Sequence, residues 1–305
     1  TLASILIAFA GAFYAWWGHT LLLKAAGIAG LLFAAGALAD AFVSRIVMYV
    51  GTPCLIISAM SKVDVDAAVM GEVMLATAVA MTAMGVLGWI MLRSFKLDIP
   101  TYLPPLNFPN NGNMGLPLCL FAFGQLGLAL ALGSFMVMMI ATFTVGLLLV
   151  SEGGWGDRFK DMARQPVIHS MIIALAMLVT GTHLPRWIDN TVTLIGGFAI
   201  PLMTITLGVS LATLKIGTWG RSFGFSIARI FGGLVLGWLS CWLLNVDGVS
   251  RSVVLLQSAM PVAVFNYLLA LRYNRNPQEI AAMVVISTLV AFVTLPFLLA
   301  MLLPA

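Results

Sequence analysis

Amide side chains concentrate beside prolines in the stretch 103–118, and they are the residues of this chain with the clearest chemical use. The residues that we single out in this stretch are the amides Asn110, Asn111 and Asn113, together with Pro109 and Gly112. Proline lacks a backbone donor and clashes with the preceding turn, so the four prolines of this stretch predict a broken helix. An amide can donate a hydrogen bond to an anion or offer its oxygen to a cation. The stretch therefore has the groups needed to bind a small polar molecule.

A second broken helix is predicted over 255–267. Pro261 interrupts it, Gln257 precedes the break and Asn266 follows it. Where a helix resumes after a break, its free N–H groups carry a partial positive charge, which suits a carboxylate. Proline kinks can serve packing alone, but two kinks that are each flanked by amides favour one binding site built from both. The predicted substrate-binding residues are Asn110, Asn111, Asn113, Gln257 and Asn266, with Pro109, Gly112 and Pro261 at the breaks.

The composition indicates what surrounds these helices. Hydrophobic residues make up 61% of the chain, charged residues 9%, and the mean hydropathy is +1.07. About a quarter of the residues of a soluble domain are charged. The hydrocarbon core of a bilayer takes roughly 20 apolar residues per helix, and such runs cover most of this chain. We predict an all-α, multi-pass integral membrane protein in a lipid bilayer.

Apolar runs separated by short polar connections define the predicted helices. They cover residues 2–17, 21–39, 42–60, 68–92, 103–123, 126–150, 166–183, 190–213, 222–244, 252–271 and 280–303. The two broken helices, 103–123 and 252–271, are each fourth in a set of five. Because five is odd, the two sets have opposite orientations. Inverted repeats with broken helices in matching positions are typical of secondary transporters.

The predicted organisation follows from these repeats. It consists of a possible extra N-terminal helix in residues 1–20, a first repeat in 21–150, a cytoplasmic loop in 151–165 and a second repeat in 166–305. Residues 2–17 could equally be the first core helix in a different register. The fold class is thus all-α, with two inverted five-helix repeats in which helices four and nine are broken; the resemblance given below implies that these two helices cross within a ten-helix core.

The distribution of positive charge predicts the orientation. The net charge is +4, and most of the 15 Lys and Arg residues fall on the side of the mid-chain loop. Cytoplasmic loops carry an excess of Lys and Arg, which places this loop inside and the C-terminus outside, in what we expect to be a bacterial inner membrane. No basic cluster is interleaved with aromatic residues, so we expect no nucleic acid partner.

Enzyme chemistry is not predicted. Cys54, Cys119 and Cys241 fall in apolar stretches and are not spaced like metal ligands. The histidines lie in none of the usual metalloprotease or hydrolase motifs. We therefore expect no catalytic residues, no metal and no cofactor. A channel, or a sensor that keeps a binding site without moving it, remains open as an alternative to a carrier.

The two broken helices carry a resemblance to a known family. The stretch 109–118, Pro-Asn-Asn-Gly-Asn-Met-Gly-Leu-Pro-Leu, resembles the fourth-helix motif of the auxin efflux carrier family, which includes the plant PIN-type carriers. The stretch 259–273 resembles the ninth helix of that family, and 287–296 resembles its tenth. The mid-chain loop is short, unlike the long loop of many plant carriers, so plant-type regulation is not implied.

This resemblance implies a function and a mechanism. It implies elevator-like alternating access, a homodimer and small carboxylate substrates such as auxin, malate or malonate. Pro109 and Pro261 would mark the crossing point, and Asn110 would contact the substrate carboxylate. Sodium-coupled bile-acid-type carriers have a related fold and are the alternative.

The coupling ion is not determined by these patterns. Neither broken helix contains an acidic residue, so coupling to a proton, or to no ion, is favoured over coupling to sodium. Glu72 is the candidate for proton coupling. Arg229 lies within an apolar run, and we expect it to snorkel to the membrane surface.

Overall fold

The computed structural model describes most of the chain and shows it to be helical. The described residues are 42–43, 45–62, 65–150, 163–214 and 219–303. Within them, no β-strand is present. The predicted N-terminal helix in 1–20, the run 21–39 and most of the loop 151–165 lie outside the described residues.

Twelve helices follow one another along the described ranges. They are α1 (Thr52–Lys62), α2 (Ala67–Ser94), α3 (Ile99–Asn107), α4 (Leu116–Ala141), α5 (Leu147–Val150), α6 (Pro166–Thr180), α7 (Arg186–Gly197), α8 (Ala199–Thr213), α9 (Trp219–Leu243), α10 (Gly248–Ser258), α11 (Val264–Arg272) and α12 (Pro277–Leu302). Three π-helical turns precede α1, α4 and α5, at Val47–Gly51, Asn111–Gly115 and Thr142–Gly146.

Polar residues begin the two helices that precede the first break. The Asp66 carboxylate accepts the Ala68 N–H at 2.9 Å at the start of α2. The Asp98 carboxylate accepts the Thr101 N–H at 3.1 Å at the start of α3. Both side chains satisfy backbone donors that a helix N-terminus leaves unpaired. They therefore fix where these apolar helices begin.

Both predicted helix breaks are present. The run 103–123 divides into α3, an extended segment at residues 108–110 and the turn Asn111–Gly115 that leads into α4. The run 252–271 divides into α10 and α11. The run 190–213 is also divided, at Phe198 between α7 and α8, where the sequence predicts a single helix.

Gly124 interrupts the long apolar span that contains α4. Its φ of 66° and ψ of −156° lie outside the helical region, within the span that runs from Asn111 to Val150. Positive φ favours glycine because it has no Cβ. The change of direction at Gly124 matches the boundary predicted between the runs 103–123 and 126–150.

The helices pack as two groups. The larger group contains α2, α3, α4, α9, α10, α11 and α12, which pack mainly on one another. The smaller group contains α1, α6 and α7. Helix α8 lies between them and contacts the π-helical turn at Asn111–Gly115. The two groups meet around the first break.

The described helices are suited to a bilayer. Five stretches among them are long and apolar enough to cross a membrane: Ala67–Ser94, Asn111–Val150, Arg186–Ala212, Gly220–Leu243 and Pro277–Leu302. Large apolar side chains such as Trp89, Phe231 and Phe297 are exposed on the outer faces. Soluble monomers rarely expose broad apolar surfaces. The chain is therefore a multi-pass integral membrane protein.

Candidate functional site

The two broken helices meet at their breaks and are joined there through the main chain. The Asn110 N–H donates to the Pro261 carbonyl at 2.7 Å, and the Ala263 N–H donates to the Phe108 carbonyl at 3.3 Å. These two bonds form an isolated antiparallel bridge between Pro109 and Val262. Unpaired backbone groups are costly in a membrane. The bridge satisfies such groups in both broken segments, which explains how these segments can stay extended there.

Two side chains complete this junction. The Asn266 amide donates from Nδ2 to the Phe108 carbonyl at 3.0 Å. The Ser287 hydroxyl accepts the Val262 N–H at 3.0 Å and donates to the Val284 carbonyl. Helix α12 thereby holds the second break in place through Ser287.

Ser287 offers a direct test of the junction. Replacing it with alanine leaves the buried Val262 N–H without its partner, which costs about 1–3 kcal/mol. We expect Ser287→Ala to lower the melting temperature of the purified protein in detergent. Ser94→Ala is the control, because it removes an exposed hydroxyl bonded to the carbonyl one turn earlier. Equal melting temperatures for the two variants would show that Ser287 does not support the break.

Arg229 lies behind the junction and binds the ends of both first half-helices. Its guanidinium donates to the carbonyls of Leu106 at 2.8 Å, Ser258 at 2.6 Å and Met260 at 3.4 Å. The residue is 3% exposed, and the ion pair found within the described ranges does not involve it. A helix C-terminus carries a partial negative charge, so this cation stabilises the ends of α3 and α10 together.

Two glycines of α9 let the end of α10 pack closely beside this arginine. A Cβ on Gly233 would lie 2.1 Å from the Ser258 carbonyl and 2.7 Å from Nη2 of Arg229. A Cβ on Gly237 would lie 2.7 Å from the Ser258 side chain. The end of α10 therefore approaches α9 at backbone distance.

A cavity of about 180 Å³ opens on the other side of the junction. The two breaks form one wall, in which the polar side chains are Asn110, Asn113 and Asn266. The opposite wall comes from α1, α6, α8 and the turn before α1, through Val47, Thr52, Val167, Met203 and Thr206. The cavity thus lies between the two groups of helices.

Over the described residues the cavity is uncharged, and two helical segments begin at it. Helix α11 and the turn Asn111–Gly115 both begin at it, and neither start has a side-chain cap. Nδ2 of Asn110 and Oδ1 of Asn266 are buried and have no hydrogen-bond partner. None of the described residues that line the cavity is charged. Free N–H groups and an unpaired amide donor are suited to a small carboxylate.

A second, much smaller space lies beside Arg229. Its volume is about 10 Å³, close to the minimum needed for one water molecule. Asn111, Gln257 and Ser258 line it, and Pro109 borders both this space and the larger cavity. Oδ1 of Asn111 and both amide atoms of Gln257 are buried without a partner. The junction therefore separates two polar spaces.

Comparison with known proteins identifies the class of molecule. A family model described as membrane transport protein matches residues 158–299. A relative described as an uncharacterized transporter, from Methanocaldococcus jannaschii, is 27% identical and aligns over 80% of this chain and 84% of its own length. Another uncharacterized transporter, from Methanothermobacter thermautotrophicus, is 24% identical over 83% of this chain and 86% of its own length. This chain is thus similar to membrane transport proteins over most of its length.

The transporter assignment supports the resemblance to the auxin efflux carriers. The match to the family model includes the second break and Arg229, and the two relatives extend the similarity over most of the chain. Transport proteins are generally not enzymes.

The structure distributes the predicted site residues of the transporter over three places. Asn110, Asn113, Asn266 and Gly112 line the larger cavity. Asn111 and Gln257 line the small space beside Arg229. Glu72 is exposed on α2 and belongs to neither lining.

The expectation that Arg229 snorkels to the surface is wrong. Its side chain points inward, where three backbone carbonyls accept from the guanidinium, and Gly233, one turn later, leaves room for one of them, that of Ser258. The glycine pair Gly233 and Gly237 would also suit a dimer contact from sequence alone, but it packs inside this chain. In the sequence, the feature that could have indicated this buried position is an arginine followed by glycines four and eight residues later.

Proposed function

We propose that this transporter is a secondary active carrier of small organic anions, with carboxylates as the main class. The observation that supports this best is the uncharged cavity at the starts of two half-helices, where the buried Asn110 amide has a free donor. A carboxylate there would accept bonds from the amide and from the free N–H groups. The partial charges of both helix ends would favour it over a cation.

The size of the cavity favours short substrates. Its volume of about 180 Å³ is close to the roughly 150 Å³ of an engineered protein cavity that binds benzene. Short mono- and dicarboxylates of the malonate or malate type fit this space, whereas an auxin-like aromatic acid would fill it. Phe108, Phe135 and Phe265 line the cavity and would contact the carbon skeleton.

The position of the cavity supports an elevator-type mechanism. In this proposal the described helices belong to a ten-helix core of two inverted repeats, 21–150 and 166–305, whose broken helices cross at Pro109 and Pro261. The larger group carries the substrate past the smaller one, which forms the homodimer interface. The C-terminus lies outside the plasma membrane. The position of the cavity between the two groups supports these separate roles, one group moving the substrate and the other forming the dimer interface.

Counterflow in proteoliposomes tests the proposed function. Purified protein would be reconstituted with a panel of labelled mono- and dicarboxylates, including an indole acid. We expect saturable uptake that exchanges with internal substrate. Asn110→Ala should weaken substrate affinity about tenfold, which is the loss expected for one hydrogen bond to a charged group.

The matched control is Asn190→Ala, which removes an exposed amide from α7. It should transport like the wild type. Uptake that does not saturate would indicate a channel, and no uptake of any carboxylate by folded protein would contradict the proposed substrate class. Unchanged affinity in Asn110→Ala would place the carboxylate elsewhere.

A further inference from the structure

Five oxygen acceptors lie near Arg229 behind the junction. Three are the carbonyls of Leu106, Ser258 and Met260, which Arg229 binds. Two more are amide oxygens without a partner, from Asn111 and Gln257, which line the same small space. These residues lie in α3 and α10 or in the segments that directly follow these two helices.

Such a set of oxygens is what a broken transporter helix offers to a free cation. Carbonyls at the C-terminal ends of half-helices commonly coordinate Na⁺ in secondary transporters. The ends of α3 and α10 carry partial negative charge, so they attract a positive ion. In this protein the positive charge comes from a side chain of the chain itself.

Arg229 is also poorly placed to contact the substrate. Nε, Nη1 and Nη2 each donate to a backbone carbonyl. Arg229 does not line the larger cavity, and Pro109 borders both spaces. Its charge therefore acts on the half-helices rather than on a ligand in the cavity.

We propose that the Arg229 guanidinium is a tethered cation that takes the place of a coupling ion. The carrier then works without Na⁺, and removal of the side chain opens a site for a free monovalent cation or for a small guanidinium compound. The transport part of this inference rests on the proposed carrier function, but the binding part does not.

The binding part is tested by the stability of Arg229→Ala. The melting temperature of the purified variant would be measured in choline chloride while Na⁺, K⁺ or methylguanidinium is titrated at millimolar concentration. We expect the melting temperature of Arg229→Ala to rise with Na⁺ or methylguanidinium until it reaches a plateau, and to be unaffected by choline. The wild type, and Arg186→Ala with its exposed guanidinium removed from α7, should not respond.

The transport part uses carboxylate counterflow with the same proteins. In choline chloride we expect the transport rate of Arg229→Ala to fall at least about tenfold, since even one of the three lost hydrogen bonds from a charged group is worth that much, and to recover with Na⁺ or methylguanidinium. If Arg229→Ala does not fold, Arg229→Gln, which fills more of the space, replaces it in both assays.

Several results would overturn the inference. These are a wild-type carrier that needs Na⁺, a folded variant whose stability responds to neither Na⁺ nor methylguanidinium, and a variant that transports normally in choline. A saturable rise in melting temperature without carboxylate transport by the wild type would contradict the proposed function but support the cation site. The two failures are therefore distinguishable.

Discussion

Replacing Gly233 with alanine should disrupt the packing around Arg229 more than any conservative change on the surface of the same helix. The added Cβ would lie 2.1 Å from the Ser258 carbonyl, which is backbone and cannot rotate away. Overpacking of this kind costs about 1–3 kcal/mol, and occasionally more. Because Ser258 O also accepts from Nη2 of Arg229, we expect one of the three guanidinium bonds to be lost as well.

Thermal unfolding in detergent measures this effect, and Gly224→Ala on the same helix is the control. A Cβ on Gly224 meets no atom within 4 Å, so that variant should melt at or slightly above the wild-type temperature. Carboxylate counterflow by Gly233→Ala should fall together with its stability. If both variants melt alike, the close approach of α10 to α9 is not required for the fold.

Replacing Asn110 with aspartate should nearly abolish anion transport. The two side chains have the same shape, but the variant places a carboxylate at a cavity whose described lining contains no positive side chain. Two like charges 4 Å apart repel by about 4 kcal/mol at the effective dielectric constant of a partly buried site. We therefore expect substrate affinity to fall at least about a hundredfold.

Initial rates of carboxylate uptake over a range of concentrations check this prediction. Asn190→Asp adds the same charge at an exposed position of α7 and should behave like the wild type. Unchanged uptake by Asn110→Asp would mean that no anion approaches Asn110. A gain in uptake of organic cations would indicate instead that the native cavity selects by charge.

The broken helices could be predicted because their cause is local. Proline disrupts a helix whatever surrounds it, so Pro109 and Pro261 locate both breaks from sequence alone. The amides beside them were identifiable for a related reason, since polar side chains at membrane depth need a polar partner. Asn110 and Asn266 do lie at one cavity.

The rest of the site depends on contacts between distant residues. The role of Arg229 needs carbonyls from two other helices, and the glycines that follow it in sequence do not reveal which helices those are. The same holds for Ser287, which supports a break 25 residues earlier in the chain. The assignment of Asn111 and Gln257 to the second space also depends on how α4 packs against α10, and not on the neighbours of either residue in sequence.

The main-chain bridge between the two breaks has a consequence for how such transporters can diversify. The bonds from Asn110 to Pro261 and from Ala263 to Phe108 involve atoms that are the same in almost every residue type. Mutations in the cavity wall, at Met203 or Thr206 for example, leave those bonds intact. After a gene duplication, substitutions at a few positions of the cavity wall could therefore change the substrate of one copy. The main-chain hydrogen bonds between its two breaks would remain the same.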